Sequence, residues 1–84
     1  MVMHYVYVMK SLRDNLRTYV GYSIGLKARI KSHNYGQTIY TAKYKPWKLI
    51  YYSAFSDMDK AKLFEKYLKT DSGKAFMRKR LISE

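Results

Sequence analysis

The 84-residue chain has no cysteine, one proline, four glycines and only six acidic side chains. The absence of cysteine excludes a disulfide framework, a thiolate zinc site and a cysteine nucleophile, and makes a reducing, cytoplasmic setting the expected one. Long hydrophobic runs are also missing. The longest, Val2 to Met9, is interrupted by His4, falls far short of the roughly 20 residues a bilayer span needs, and lacks the basic start and small-residue cleavage site of a leader. No membrane or secretory role is expected. The length predicts a single domain over residues 1–84. A domain this small buries only about 60% of its unfolded surface, so most apolar side chains must serve the core.

Positive charge and aromatic rings are abundant. Seventeen Lys and Arg against six Asp and Glu give a net charge of +11. Net charge alone argues for solubility and nonspecific binding rather than for a fold. Ten Tyr, three Phe and one Trp are interleaved with the cations, as in Lys43-Tyr44-Lys45-Pro46-Trp47-Lys48. Cations neutralise phosphates while rings stack on bases, so a nucleic acid is the expected partner. Lys27, Lys31, Lys43, Lys45, Lys48 and Lys69 are the candidate phosphate contacts.

Val2 to Lys10 carries β-branched or aromatic side chains at nearly every position and predicts a strand buried on both faces. Ser11 to Arg17, with Asp14-Asn15 at its centre, predicts a hairpin loop. Thr18 to Tyr22 returns as a second strand whose interior Gly21 marks a bulge or a close backbone approach. Ser23 is the expected cap of a first helix with Leu26, Ile30 and His33 on one face, ending near Asn34 with Gly36 as left-handed terminator. Residues 35 to 46 show no period and predict a connection closed by Pro46. Trp47 to Ser53 predicts a third strand. Asp57 or Ser56 would cap a second helix reaching about Thr70, Gly73 would break it, and Lys74 to Ile82 would form a last basic helix burying Phe76, Met77, Leu81 and Ile82. The expected fold is α/β: a small three-stranded central sheet flanked by helices on both faces, in the order β-β-α-β-α-α.

Some residues stand out by position. Arg29 lies one turn before His33, beside the stripe of Leu26 and Ile30. Glu65 falls between Ala61 and Leu68 at the margin of the second helix's apolar face, and the only other Glu is the last residue of the chain. A lone, partly shielded carboxylate in so basic a protein invites a cation. Each residue also has an ordinary reading: Glu65 pairs with Lys69 at i,i+4 for roughly 0.3 kcal/mol, His33 suits a helix C-terminus, and Tyr5, Tyr7, Tyr19 and Tyr22 favour pleated surfaces.

Taken together, order and spacing resemble the GIY-YIG nuclease domain. The motifs correspond to Tyr5-Val6-Tyr7 on the first strand and Tyr19-Val20-Gly21 on the second, followed by the helix with Arg29, the His33-Asn34-x-Gly36 end, the Lys45-Pro46-Trp47-Lys48-Leu49 lead-in to the third strand, and Glu65-Lys66-x-Leu68-Lys69. The resemblance covers nearly the whole chain and is greatest to minimal stand-alone bacterial members, similar to the catalytic domains of excision-repair and homing endonucleases. Tyr5 stands at the motif's first glycine, Tyr22 where excision-repair members carry a lysine, and no Asn follows Asn34.

The resemblance implies hydrolysis of DNA phosphodiester bonds with one divalent metal, Mg2+ or Mn2+, held by Glu65 and water. Oxygen ligation with retained waters suits Mg2+ on chemical grounds as well. By the same resemblance Tyr7 or Tyr19 would activate or orient the attacking water, Arg29 would hold the scissile phosphate, His33 would carry a proton or contact phosphate, and Lys69 would be a supporting cation. A binding module of the same fold without turnover is the alternative, and an RNA-scaffolding protein a third reading. Specificity in so small a domain is expected to need a homodimer or a partner protein. One geometric condition follows. A hairpin closing symmetrically on Asp14-Asn15 would set Tyr7 opposite Tyr22 and turn Tyr19 to the other face, so a shared site requires an odd loop or a bulge, with Gly21 the expected place for one.

Overall fold

The computed structural model describes residues 2–15 and 17–82. Three strands, β1 (His4–Ser11), β2 (Thr18–Ser23) and β3 (Trp47–Phe55), form an antiparallel sheet in the order β2-β1-β3. Helix α1 (Leu26–Asn34) and the short α2 (Ile39–Ala42) separate β2 from β3, and α3 (Met58–Leu68) and α4 (Asp71–Phe76) follow it. A π-helical turn over Met77–Leu81 ends the described chain. The expected α/β layout is present, with α2 added.

β1 is buried on both faces because its two sets of side chains enter two cores. Val6 and Val8 join Val20, Ala61, Leu68, Met77 and Ile82 on one side. Tyr7 and Met9 join Trp47 on the other, with Leu26 and Ile30 of α1 packed against them. Val6, Val8 and Leu68 are fully buried, and each such side chain contributes about 1.5–3 kcal/mol. β3 serves both cores through a bulge. Val8 pairs with Tyr51 but Met9 with Leu49, so Ile50 is the extra residue and Leu49 and Trp47 are rephased toward α1.

The hairpin register decides the site. β1 and β2 pair as Tyr7 with Gly21, Met9 with Tyr19 and Lys10 with Thr18, which puts Tyr7 and Tyr19 on one face. The odd loop of residues 11 to 17 achieves this; Leu16 of that loop lies outside the described residues. No bulge occurs at Gly21; of the two expected readings, the close approach is the one present. Its role is space: a Cβ there would lie 2.4 Å from both Cζ and Oη of Tyr7. Asp14-Asn15 does not organise the loop alone either. The buried Ser11 hydroxyl accepts from the Arg13 and Asp14 amides at 3.1 and 2.9 Å and donates to the Tyr44 carbonyl at 2.6 Å.

Further helix boundaries differ from the sequence reading. Gly25, not Ser23, is the cap of α1, while the Ser23 hydroxyl accepts from the Gly25 amide at 2.9 Å just before the helix. Gly36 does terminate α1, at φ 77°. Asp57 caps α3 through the Asp59 amide, but Gly73 does not break a helix. Thr70 caps α4 by accepting from the Gly73 amide at 3.0 Å, and the buried Gly73 lets α4 pack directly on the end of α3. Phe76 is left largely exposed against Tyr67 rather than buried. The π turn explains the rest of that face: the Ile82 amide donates to the Met77 carbonyl at 2.9 Å, a five-residue step that brings both side chains onto the core side, where α-helical spacing would turn them apart.

Candidate active site

The α1-facing side of the sheet holds a cluster built around the Tyr7 hydroxyl. Tyr7 from β1 is 1% exposed, and its ring lies 6.4 Å from that of Tyr19 on β2. His33, fully buried at the end of α1, sits against both rings at 6.0 and 5.0 Å. Its Nε2 is 2.8 Å from the Tyr7 hydroxyl and its Nδ1 2.8 Å from the Thr41 hydroxyl.

The surrounding bonds assign the tautomer. Thr41 donates its hydroxyl hydrogen to the Thr38 carbonyl at 3.4 Å, so its oxygen accepts from His33 Nδ1–H. That leaves the Nε2 lone pair to accept from the Tyr7 phenol. The Thr41 carbonyl in turn accepts from the indole Nε1–H of Trp47 at 2.7 Å. Asn34 completes the frame, accepting from the Trp47 amide at 2.6 Å and donating to the Trp47 carbonyl at 3.2 Å. Helix α1 is thereby fixed to the start of β3, and His33 is oriented by two partners.

Burial pushes the Tyr7 phenol above its usual value, and the charges of Tyr19 and Glu65 add to the rise; Arg29 opposes it as hydrogen-bonding partner and positive charge. Burial, with Arg29 second, pulls His33 below its usual value. At neutral pH the pair is therefore a neutral phenol donating to a neutral imidazole. Arg29 is half-buried, one turn before His33 on the same flank of α1. Glu65, on α3, keeps 22% of its side chain exposed, and its Oε2 accepts from Lys69 Nζ at 3.1 Å. Of the residues the sequence singled out, Arg29 bonds the Tyr7 hydroxyl, Tyr19 packs against its ring, and the Glu65 charge is felt there most weakly.

A His33 buried as the neutral form binds fewer protons than its unfolded counterpart, so its stabilisation is complete above the unfolded pKa near 6.5 and is lost as pH falls below it. The slope reaches about 1.4 kcal/mol per pH unit at most. Thermal melts from pH 8 to 5 are expected to show this decline in the wild type and a flatter one in His33→Gln. Parallel curves would contradict it.

One role is narrowed. A fully enclosed His33 bonded on both nitrogens does not reach a phosphate, so its contact is with Tyr7. The six lysines are spread over several faces: Lys27 and Lys31 flank α1 beside a groove lined by Leu49 and Tyr52, Lys45 lies behind the α1 terminus near Gly36, Lys43 is exposed after α2, and Lys48 points to the opposite face of the sheet, paired across from Lys10. Lys69 alone joins the cluster, through Glu65. Thr41 was missed because it lies in the aperiodic stretch; the Thr38 that precedes α2 in an extended conformation was its only local signal.

Among the described residues no three His, Cys, Asp or Glu side chains gather into a metal cage. A single carboxylate with Oε1 left over fits a cation that keeps most of its waters, as Mg2+ does, and does not fit zinc. Likewise no helix among the described residues is long and apolar enough to cross a membrane.

The profile of the GIY-YIG catalytic domain matches residues 3–80. A UPF0213 protein of Staphylococcus haemolyticus is 38% identical over 73 residues, covering 86% of this chain and 87% of that one. Another, of Clostridium perfringens, is 38% identical over 68 residues, covering 80% of this chain and 71% of that one. The solution NMR structure of a UPF0213 protein from Bacillus halodurans superposes with a TM-score of 0.55 at 29% identity, covering 89% of this chain and 81% of that one.

Proposed function

The chain belongs to the GIY-YIG catalytic-domain family, and from that premise we propose that it is a metal-dependent endonuclease hydrolysing DNA phosphodiester bonds. The observation that carries the reading is the Tyr7 hydroxyl, bonded to a neutral buried imidazole, partnered by Arg29 and packed beside Tyr19.

Arg29 would bind the scissile phosphate, its planar fork matching two phosphate oxygens and offsetting the charge that builds as the water attacks. Because Arg29 also acts on the Tyr7 oxygen, a phosphate held by Arg29 would lie next to that oxygen. Tyr19, half-buried at the mouth of the cluster, would orient the water. Proton transfer then runs in one direction: the water gives a proton to the Tyr7 oxygen as the Tyr7 proton passes to His33 Nε2. The water oxygen bonds to phosphorus, the ester P–O bond breaks, and the leaving oxygen takes a proton from solvent. Thr41 keeps the His33 lone pair aimed at Tyr7 throughout. Glu65 would hold Mg2+ or Mn2+, which when bound supplies positive charge to the phosphate.

Supercoiled, single-stranded and branched DNA incubated with Mg2+, Mn2+ or EDTA provide the test. Nicking is expected only with metal, and Arg29→Lys, which keeps the charge but loses the fork, is expected to reduce it by about 10²-fold. DNA binding without cleavage of any substrate would leave a binding module. Metal-independent preference for RNA would support a scaffold instead.

A further inference from the structure

The sheet has a free edge at β2, and a second cationic feature lies along it. A groove of about 650 Å3 runs between the start of β2 and the C-terminal helix, lined by Arg17, Thr18, Tyr40, Lys74, Met77 and Arg78 among others. No carboxylate lines it among the described residues; Asp14 lies beside it, bonded to Arg17 Nε at 3.2 Å. Arg17 is exposed; that bond, a hydrogen bond with the Tyr40 hydroxyl and the Tyr44 ring, 4.2 Å from its guanidinium carbon, orient it, and it retains further N–H donors for an anion. Lys74 and Arg78 are four residues apart, one turn along the helix.

One lining residue, Tyr40, links the groove to the catalytic cluster. Tyr40, 47% exposed, lies 6.3 Å from Tyr19 on one side and 5.6 Å from Tyr44 on the other. An exposed ring at the junction, followed by a run of cations, is the combination that holds an unpaired strand: the ring stacks on a base and the cations follow the phosphates. A duplex offers no free base face to Tyr40.

Resting on the nucleic-acid reading of the catalytic cluster, we propose that this groove binds a single-stranded DNA segment flanking the scissile phosphate, with Tyr40 stacking on a base and Arg17, Lys74 and Arg78 gripping its backbone. The favoured substrate is then a flap, overhang or single strand rather than blunt duplex.

Fluorescence anisotropy in EDTA with a labelled single-stranded oligonucleotide tests this without turnover. Lys74→Glu/Arg78→Glu is expected to raise Kd at least tenfold and to lower the magnitude of the salt slope by roughly 1.4, two contacts at about 0.7 each. Tyr40→Ala is expected to weaken single-strand binding about fivefold or more and to leave blunt-duplex binding unchanged. Lys60→Glu/Lys66→Glu, the same charge change on exposed positions of α3, is the control and is expected to cost less than threefold. The neutral pair Lys74→Gln/Arg78→Gln, with unaltered melting, should reproduce the direction. Groove and control pairs that weaken binding equally, or a Tyr40→Ala protein that binds single strands normally, overturn the proposal. A protein that binds through the groove yet never cleaves refutes only the nuclease reading. One that cleaves with Mg2+ while its groove variants bind normally refutes only this inference.

Discussion

Glu65→Gln is expected to lose at least about 10³-fold in cleavage rate, some 4 kcal/mol of transition-state stabilisation. The substitution keeps the size of the side chain and removes the charge that would hold the cation, and among the described residues no group of three His, Cys, Asp or Glu side chains offers an alternative cage. Fold and binding should survive. The Glu65–Lys69 bond is an exposed helical pair, worth a few tenths of a kcal/mol. Removing a negative charge from a surface meant for a polyanion should leave DNA affinity in EDTA unchanged or slightly tighter. Single-turnover cleavage in saturating Mg2+, beside anisotropy in EDTA, separates the two effects. Wild-type cleavage by the variant would remove Glu65 from the mechanism.

Gly73→Ala is expected to be the most damaging single-methyl change to the fold. In a helix interior alanine is favoured over glycine by about 1 kcal/mol. Here a Cβ would lie 1.8 Å from the Tyr67 carbonyl oxygen and 2.7 Å from Leu68 Cα. Both are backbone atoms, so α4 must move away from α3. That movement loosens Leu68 and Met77, which lie in the core between the helices and the sheet. Overpacking costs about 1–3 kcal/mol and sometimes more, so the clash outweighs the propensity gain. With about 4–8 °C of Tm per kcal/mol in a domain of this size, a fall of about 10 °C or more is expected by calorimetry. Gly25→Ala, whose Cβ would meet nothing within 4 Å, is the contrast and should cost no more than about 1 kcal/mol, the difference between glycine and alanine as a helix cap. Equal melting of the two variants would show that the helices separate freely.

Gly73 also shows where local reading fails. From the sequence it is a helix breaker, by propensity; in the fold it is the contact point between two helices, which depends on a carbonyl six residues away. Gly21 was legible only as a choice. A glycine inside a strand suggested a bulge or a close approach; the ladder is regular there and the missing side chain is the space occupied by the Tyr7 ring. Helix α2 escaped notice because four residues are too few to show a period, and with it went Thr41, whose hydroxyl orients His33. The lysines were grouped by charge alone, and charge carries no direction: Lys27 and Lys48 lie over opposite faces of the sheet.

Strand alternation, the α1 stripe and the spacing of Tyr7, Tyr19, Arg29, His33 and Glu65 were legible in one dimension, because period and motif spacing are local properties of the chain. Even the requirement that the hairpin loop be odd followed from parity, since side chains alternate and only one parity lets both tyrosines share a face. Tertiary structure decided the rest. The neutral state of His33, the raised phenol of Tyr7, the enclosure that keeps His33 from phosphate and the groove along β2 arise from burial and from charges brought together by residues distant in sequence. Desolvation and Coulomb forces depend on distances in space, and those exist only once the sheet and helices have packed.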